Sequence, residues 1–201
     1  MTNQKNIFDR NIESVLIIDS IFQYMDLQIT AFDISELLRA EFVLIVSALD
    51  FYVHGVVREG LVDQLNNIDD CNANTLCIPF STVKVLLHID SEEERKRVLS
   101  EQIKMITSKD SYQAPRAIEK ALGMIGVKKV WNKISDFSGQ PAENIRNTLS
   151  IVINRRNKIA HEADIDFLTG EKTVITPTDI KECLEFVTGF IDAIEQILKS
   201  S

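Results

Sequence analysis

The chain has 201 residues, 45% of them hydrophobic, a formal charge of −8 and a pI near 5.0. That length suits one domain, residues 1–201, burying roughly 70% of the surface its unfolded chain exposes. The acidic balance excludes a protein that coats nucleic acid over its whole surface, because phosphate binding rests on Lys and Arg. The start, "MTNQKNIFDR", lacks the basic and apolar stretches of a secretory signal. The longest apolar run, "FVLIVSALDFYVHGVV", falls short of the ~20 residues of a membrane span and is interrupted by Asp50 and His54. A soluble, cytoplasmic protein with no membrane partner is expected. Cys71, Cys77 and Cys183 are odd in number and form no C-x-x-C pair, so they read as reduced thiols, a Cys71–Cys77 pair being the lesser reading.

Taken in chain order, apolar residues recur at helical spacing almost throughout, which predicts an all-α bundle. A first helix is expected over about Asp9 to Tyr24, and a longer one from Asp33, capped by "DISE", to about Leu65. The polar stretch "NNIDDCNANTLC" reads as a loop, and Pro79 opens a short segment. "SEEERKRVL" starts another helix, with Ser91 as N-cap and acids at the positive end of the dipole. "TSKDSYQAPR" is a further loop, followed by short helices over Ile118 to Ile125 and Lys128 to Phe137. Gly139 stops one helix and Pro141 starts the next. "DFLTGEKTVIT" predicts a loop or short hairpin turning at Gly170. The last helix, from Thr178, puts Ile180, Leu184, Val187, Ile191, Ile194 and Leu198 on one face.

Charge is unevenly spread. Between Lys128 and His161 seven basic residues face two acids, a local +5 that leaves −13 for the remainder. An acidic body with one basic segment fits a small anion site better than a long groove. Within that segment the stripe Ile145, Leu149, Val152, Arg156, Ile159 has an arginine at an apolar position. Its guanidinium must be paired, reach water, or face a cleft or partner.

Five residues further stands His161, one of three histidines. With about 100° per residue, positions 156 and 161 lie about 140° apart, whereas Asn157 and His161 share a face. Either the helix loosens near its end, or the pair converges on a site completed by another element or by a second copy across a two-fold axis. Arg and His suit phosphodiester chemistry: Arg grips phosphate with a planar fork of donors, and His moves a proton near neutral pH. A bland alternative makes Arg156 an ion-pair partner and His161 a complement to the helix dipole.

Other candidates are weaker. Asp50, His54 and Arg58 follow at i, i+4 and i+8, so Asp50 could orient His54 with Arg58 beyond it, as a semi-buried network or as a surface ion-pair series. His88 reads as a satisfied, partly buried histidine and Trp131 as core rather than a base-stacking platform. Lys128, Lys129 and Lys133 read as a solvated face that could also guide RNA. Glu162 and Asp164 could tune His161 or be ordinary loop acids.

The words "LIVSALDFYVHGVVREGLV", "VWNKISDFSG" and "IVINRRNKIAHEADID" resemble, in order and spacing, the RiboL-PSP-HEPN branch of the HEPN superfamily, from about Arg39 to the final helix. The resemblance implies an all-α bundle that commonly dimerises, bringing two motif copies to one cleft, and a metal-independent endoribonuclease of toxin or antiviral-defence type. No metal or cofactor is then expected; the partners are RNA, a second copy, and an antitoxin or defence-system protein. By position, Arg156 and His161 are the catalytic pair and Asn157 is the polar residue after the Arg; Asp50, His54 and Arg58, read from their own helical spacing, are the supporting residues if they reach the cleft. Arg155 and Lys158 would contact RNA. Ala163 occupies the place where one toxin branch carries a modified Tyr, so control by that route is not expected. Some members of the superfamily only bind nucleotides or assemble partners, which is the alternative function.

Overall fold

The computed structural model describes residues 3–28, 33–66 and 77–200. Among them the helical periodicity gives α1 (Asn3–Asp26), α2 (Ser35–Asn66), α3 (Phe80–Leu86), α4 (Glu92–Thr107), α5 (Pro115–Met124), α6 (Val130–Ser138), α7 (Ala142–His161) and α8 (Pro177–Lys199), with no strand. The all-α expectation holds. Most of the polar stretch after α2, and Cys71 with its suggested pairing, lie outside the described residues. Cys77 is an exposed thiol, whereas burial pushes the Cys183 thiol up to about 12.

α2 is the axis of the bundle, against which α1, α4, α5, α7 and α8 all pack. By length and composition it could cross a membrane, which the quoted apolar run alone did not suggest. Its apolar residues are instead the centre of the core: Leu38, Ile45, Val46, Leu49, Tyr52, Val53 and Val57 are buried. Tyr52 donates its hydroxyl to Glu195 at 2.9 Å, joining α2 to α8. Lost burial of such side chains would cost about 2–5 kcal/mol each.

α1 begins at Asn3 rather than Asp9, because contacts that sequence periodicity does not report hold its first turns. Gln4 donates to Glu59 at 2.6 Å, and Lys5 pairs with Asp9 at 2.5 Å and Asp192 at 3.4 Å. Gly55 permits this approach; a Cβ there would run into the Gln4 side chain. At the start of α2, Asp33 accepts from the Ser35 amide at 2.8 Å, but Glu36 does not close the expected box and pairs with Arg39 and Lys172. Ser91 caps α4 by accepting from the Glu94 amide at 3.3 Å. α5 starts at Pro115, earlier than expected, since proline's fixed φ suits a first helical position. α6 starts later, at Val130, because Lys129 is left-handed at φ 54°. Gly139 ends α6 at φ 69°, and Pro141 precedes α7, as read from the sequence.

Between α7 and α8 the chain makes a minimal hairpin: one antiparallel bridge, Ile165 to Lys172, turning at Gly170 with φ 71°. A capping box of Thr176 and Asp179 then starts α8.

Glu41 of α2 is 0% exposed, and neither carboxyl oxygen has a hydrogen-bond partner among the described residues. Burial, helped by Asp19 of α1, pushes it up to about 7. A folded acid that titrates above its unfolded value near 4.5 keeps its proton longer than the unfolded chain does. Stability from this group is therefore full below about pH 4.5, falls as pH rises to about 7, and is flat beyond, a loss of about 3 kcal/mol. Urea unfolding should find Glu41→Gln within about 1 kcal/mol of wild type at pH 5 and about 2–3 kcal/mol more stable at pH 8. An equal difference at both pH values would refute the titration.

Candidate functional site

The site follows from the irregular stripe of α7. Ile145, Leu149 and Val152 are buried and Ile159 is half-buried against the core, and Arg156 takes the slot between them. Its side chain is half-buried; Nη1 donates to Asn157 Oδ1 at 3.1 Å, and the buried Nε has no hydrogen-bond partner among the described residues. Such a half-buried guanidinium, with no carboxylate in contact among the described residues, is a ready donor for an anion.

Arg156 lines a cavity of about 330 Å³ together with Asp50, His54 and Arg58 of α2, Lys104 of α4, and Gln113 just before α5. The i, i+4, i+8 series thus opens onto the same space as the motif arginine. Asp50 does not orient the His54 ring as expected. Asp50 Oδ1 accepts the Tyr112 amide at 2.7 Å and lies 3.9 Å from His54 Nε2. The closer partner of Nε2 is the Asp110 carbonyl, at 3.1 Å, and the Tyr112 ring lies over the imidazole with centroids 4.3 Å apart. A carbonyl only accepts, so Nε2 is the donor of this contact. Burial, then Asp110, pushes the Tyr112 hydroxyl up to about 12, which keeps it a donor. Lys104 and Gln113 carried no sequence signal: they sit in no motif, and only tertiary packing brings them to α2 and α7.

His161 is elsewhere. It is the last residue of α7, exposed, and no part of the cavity wall. The helix does not loosen before it, so its angular separation from Arg156 stands. Within one chain, His161 is therefore not among the residues that line the Arg156 cavity.

Arg155 turns away from the cavity. Its Nη2 donates to Asp164 Oδ2 at 2.9 Å and to the carbonyl of Val174 at 3.0 Å. Arg39 Nε reaches the same Asp164 oxygen at 3.0 Å, and its Nη2 the Thr173 carbonyl at 2.8 Å. Asp164, left-handed at φ 59° and buried, is thus the anchor that ties the hairpin to α2 and α7, which answers the reading of it as a tuner of His161 or a loop acid. Lys158 and Glu162 are exposed at the end of α7. His88, in the turn just past α3, is exposed rather than partly buried, and its Nδ1 is bonded to the Lys84 carbonyl at 2.8 Å, one turn back. Trp131 is core: buried, 6.0 Å from the Phe190 ring centroid, and donating to Glu119 at 3.3 Å. Lys128 and Lys129 are exposed and Lys133 is half-buried.

A family model described as RiboL-PSP-HEPN matches residues 9–200, so the similarity takes in α1 as well as the region from Arg39 onward. No curated protein and no solved structure matches the chain. With the R-x-x-x-x-H element on α7, the all-helical bundle around α2 and a family match over nearly the whole length, the chain belongs to the RiboL-PSP-HEPN family.

Proposed function

We propose that this protein is a cytoplasmic, metal-independent endoribonuclease of the toxin or antiviral-defence type, whose active site is completed between two copies of the chain. Family membership supports an RNA-related module in general. The observation that carries the finer reading is the split of the motif: Arg156 sits in a cation-lined cavity while His161 stands exposed beyond it. A two-fold axis near the end of α7 would bring the His161 of one copy to the Arg156 of the other.

In the reaction, a general base takes the ribose 2′-OH proton and the 2′-oxygen attacks the adjacent phosphorus. The bond to the 5′-oxygen breaks, and a general acid protonates that leaving oxygen, giving a 2′,3′-cyclic phosphate and a 5′-hydroxyl. Arg156 stabilises the charge building on the phosphoryl oxygens, and His161 transfers one of the protons. Incubating the protein with end-labelled single-stranded and structured RNA in EDTA tests this. Cleavage leaving cyclic phosphate ends is expected. Intact RNA with a folded, dimeric protein would sink it.

The exposure of His161 outside the cavity favours a second reading, a non-catalytic nucleotide-binding or assembly module of a defence system. That module would bind nucleotide through Arg156 and leave RNA whole.

A further inference from the structure

We propose that the Arg156 cavity is a subsite for one unpaired nucleotide of the RNA, in which Gln113 meets the base edge while Arg58, Lys104 and Arg156 hold its phosphate. The polymer in this assignment rests on the ribonuclease reading; the ligand chemistry does not.

The strongest mark is Gln113. It is 6% exposed, lines the cavity, and its side chain makes no hydrogen bond among the described residues. An amide that opens onto the cavity with its donor and acceptor taken by no described residue suits a ligand that offers both, as the Watson–Crick edge of a base does. Such an edge is free only when the nucleotide is unpaired, and single-stranded segments are where proteins read RNA bases.

The cations complete the match. Arg58 and Lys104 make no ion pair or hydrogen bond among the described residues, and Arg156 offers its unused Nε. The one carboxylate in the wall, Asp50, accepts the Tyr112 amide at 2.7 Å. Three unpaired cations in a chain of net charge −8 mark a place for phosphate. Exposure orders them, with Lys104 at the rim, Arg58 and Arg156 half-buried, and Gln113 deep. A charged phosphate would then lie near solvent and the base inside. The volume, about 330 Å³, is at the small end of ligand cavities and admits one nucleotide rather than a duplex. Phe51, 49% exposed, adds an apolar wall for the flat face of a base.

Binding of a single-stranded 2′-deoxy tetranucleotide, which cannot be cleaved without a 2′-hydroxyl, tests this by fluorescence anisotropy at several salt concentrations. Lys104→Ala, at an exposed position, should weaken binding about five- to tenfold and flatten the log affinity against log salt slope by about 0.7, one phosphate contact. Gln113→Ala should weaken it about tenfold with the slope unchanged, because no charge is lost. A blunt duplex of the same sequence and adenosine 5′-monophosphate should both bind at least about tenfold more weakly. Wild-type affinity and slope in both folded variants, or equal binding of the duplex, would overturn the subsite. Equal binding of the free mononucleotide would overturn its assignment to RNA. Loss of binding in the variants, alongside RNA that wild type never cleaves, would uphold the subsite and sink the nuclease. Normal binding by the variants, alongside cleavage by wild type, would do the reverse.

Discussion

Arg156→Ala and His161→Ala should each lower RNA cleavage by about a hundredfold to ten-thousandfold, the range for removing one charge-stabilising donor or one general acid or base. Neither change should cost much stability. Among the described residues Arg156 has no carboxylate partner to leave behind, and His161 is exposed in the final turn of α7. The informative experiment mixes the two inactive proteins. If each site takes Arg156 from one copy and His161 from the other, a mixed dimer holds one site with both residues mutated and one with both intact. Random exchange makes about half the dimers mixed, each with one of two sites working, so about a quarter of wild-type activity should return. No recovery after subunit exchange, with dimers confirmed by ultracentrifugation, would place the pair within one chain and undo the split-site argument.

The fold was largely readable from sequence because a bundle of this kind is written in apolar periodicity, and α7 and α8 show it plainly. Boundaries were misplaced where tertiary contacts or single backbone conformations set them. Gln4 and Lys5 extend α1 through partners in α2 and α8, and left-handed Lys129 delays α6. At the site, Arg156 announced itself by standing in an apolar stripe, and the spacing to His161 already implied different faces. Asp50, His54 and Arg58 were legible as a helix face, but not the cavity onto which they open. That needs Lys104 from α4 and Gln113 from the segment after it, residues remote in sequence that nothing local marks. The basic run around Arg155 misled for a related reason. A charge count treats neighbouring arginines alike, yet Arg155 lies about 100° around the helix from Arg156 and meets Asp164 instead of the cavity.

That buried carboxylate is where the largest loss of stability should lie. Asp164→Asn should destabilise the protein by about 3–5 kcal/mol, because it leaves two guanidinium groups, one of them deeply buried, without their shared charge. Asparagine is the fitting probe, since it tolerates a left-handed backbone as aspartate does, and Asp164 sits at φ 59°. A loss on this scale would therefore be electrostatic rather than conformational. Arg39 would keep the Thr173 carbonyl at 2.8 Å and Ser35 at 2.6 Å, which satisfy hydrogens, and its one remaining countercharge among the described residues would be the exposed Glu36 carboxylate at 3.4 Å, which Lys172 shares. The hairpin should loosen first, because Asp164 is its tie to α2 and α7 and also donates its amide to the Lys158 carbonyl at 3.0 Å. His161 lies in the turn that this bond closes, so RNA cleavage should fall as well even though Asp164 touches neither motif residue in the described contacts. Urea unfolding followed by circular dichroism, with hydrogen exchange read at Thr173, separates the two effects. A loss below about 1 kcal/mol would mean that Arg39 and Arg155 find solvent or other acids when Asp164 is neutral, and the anchor would have to be sought in the packing of the hairpin instead.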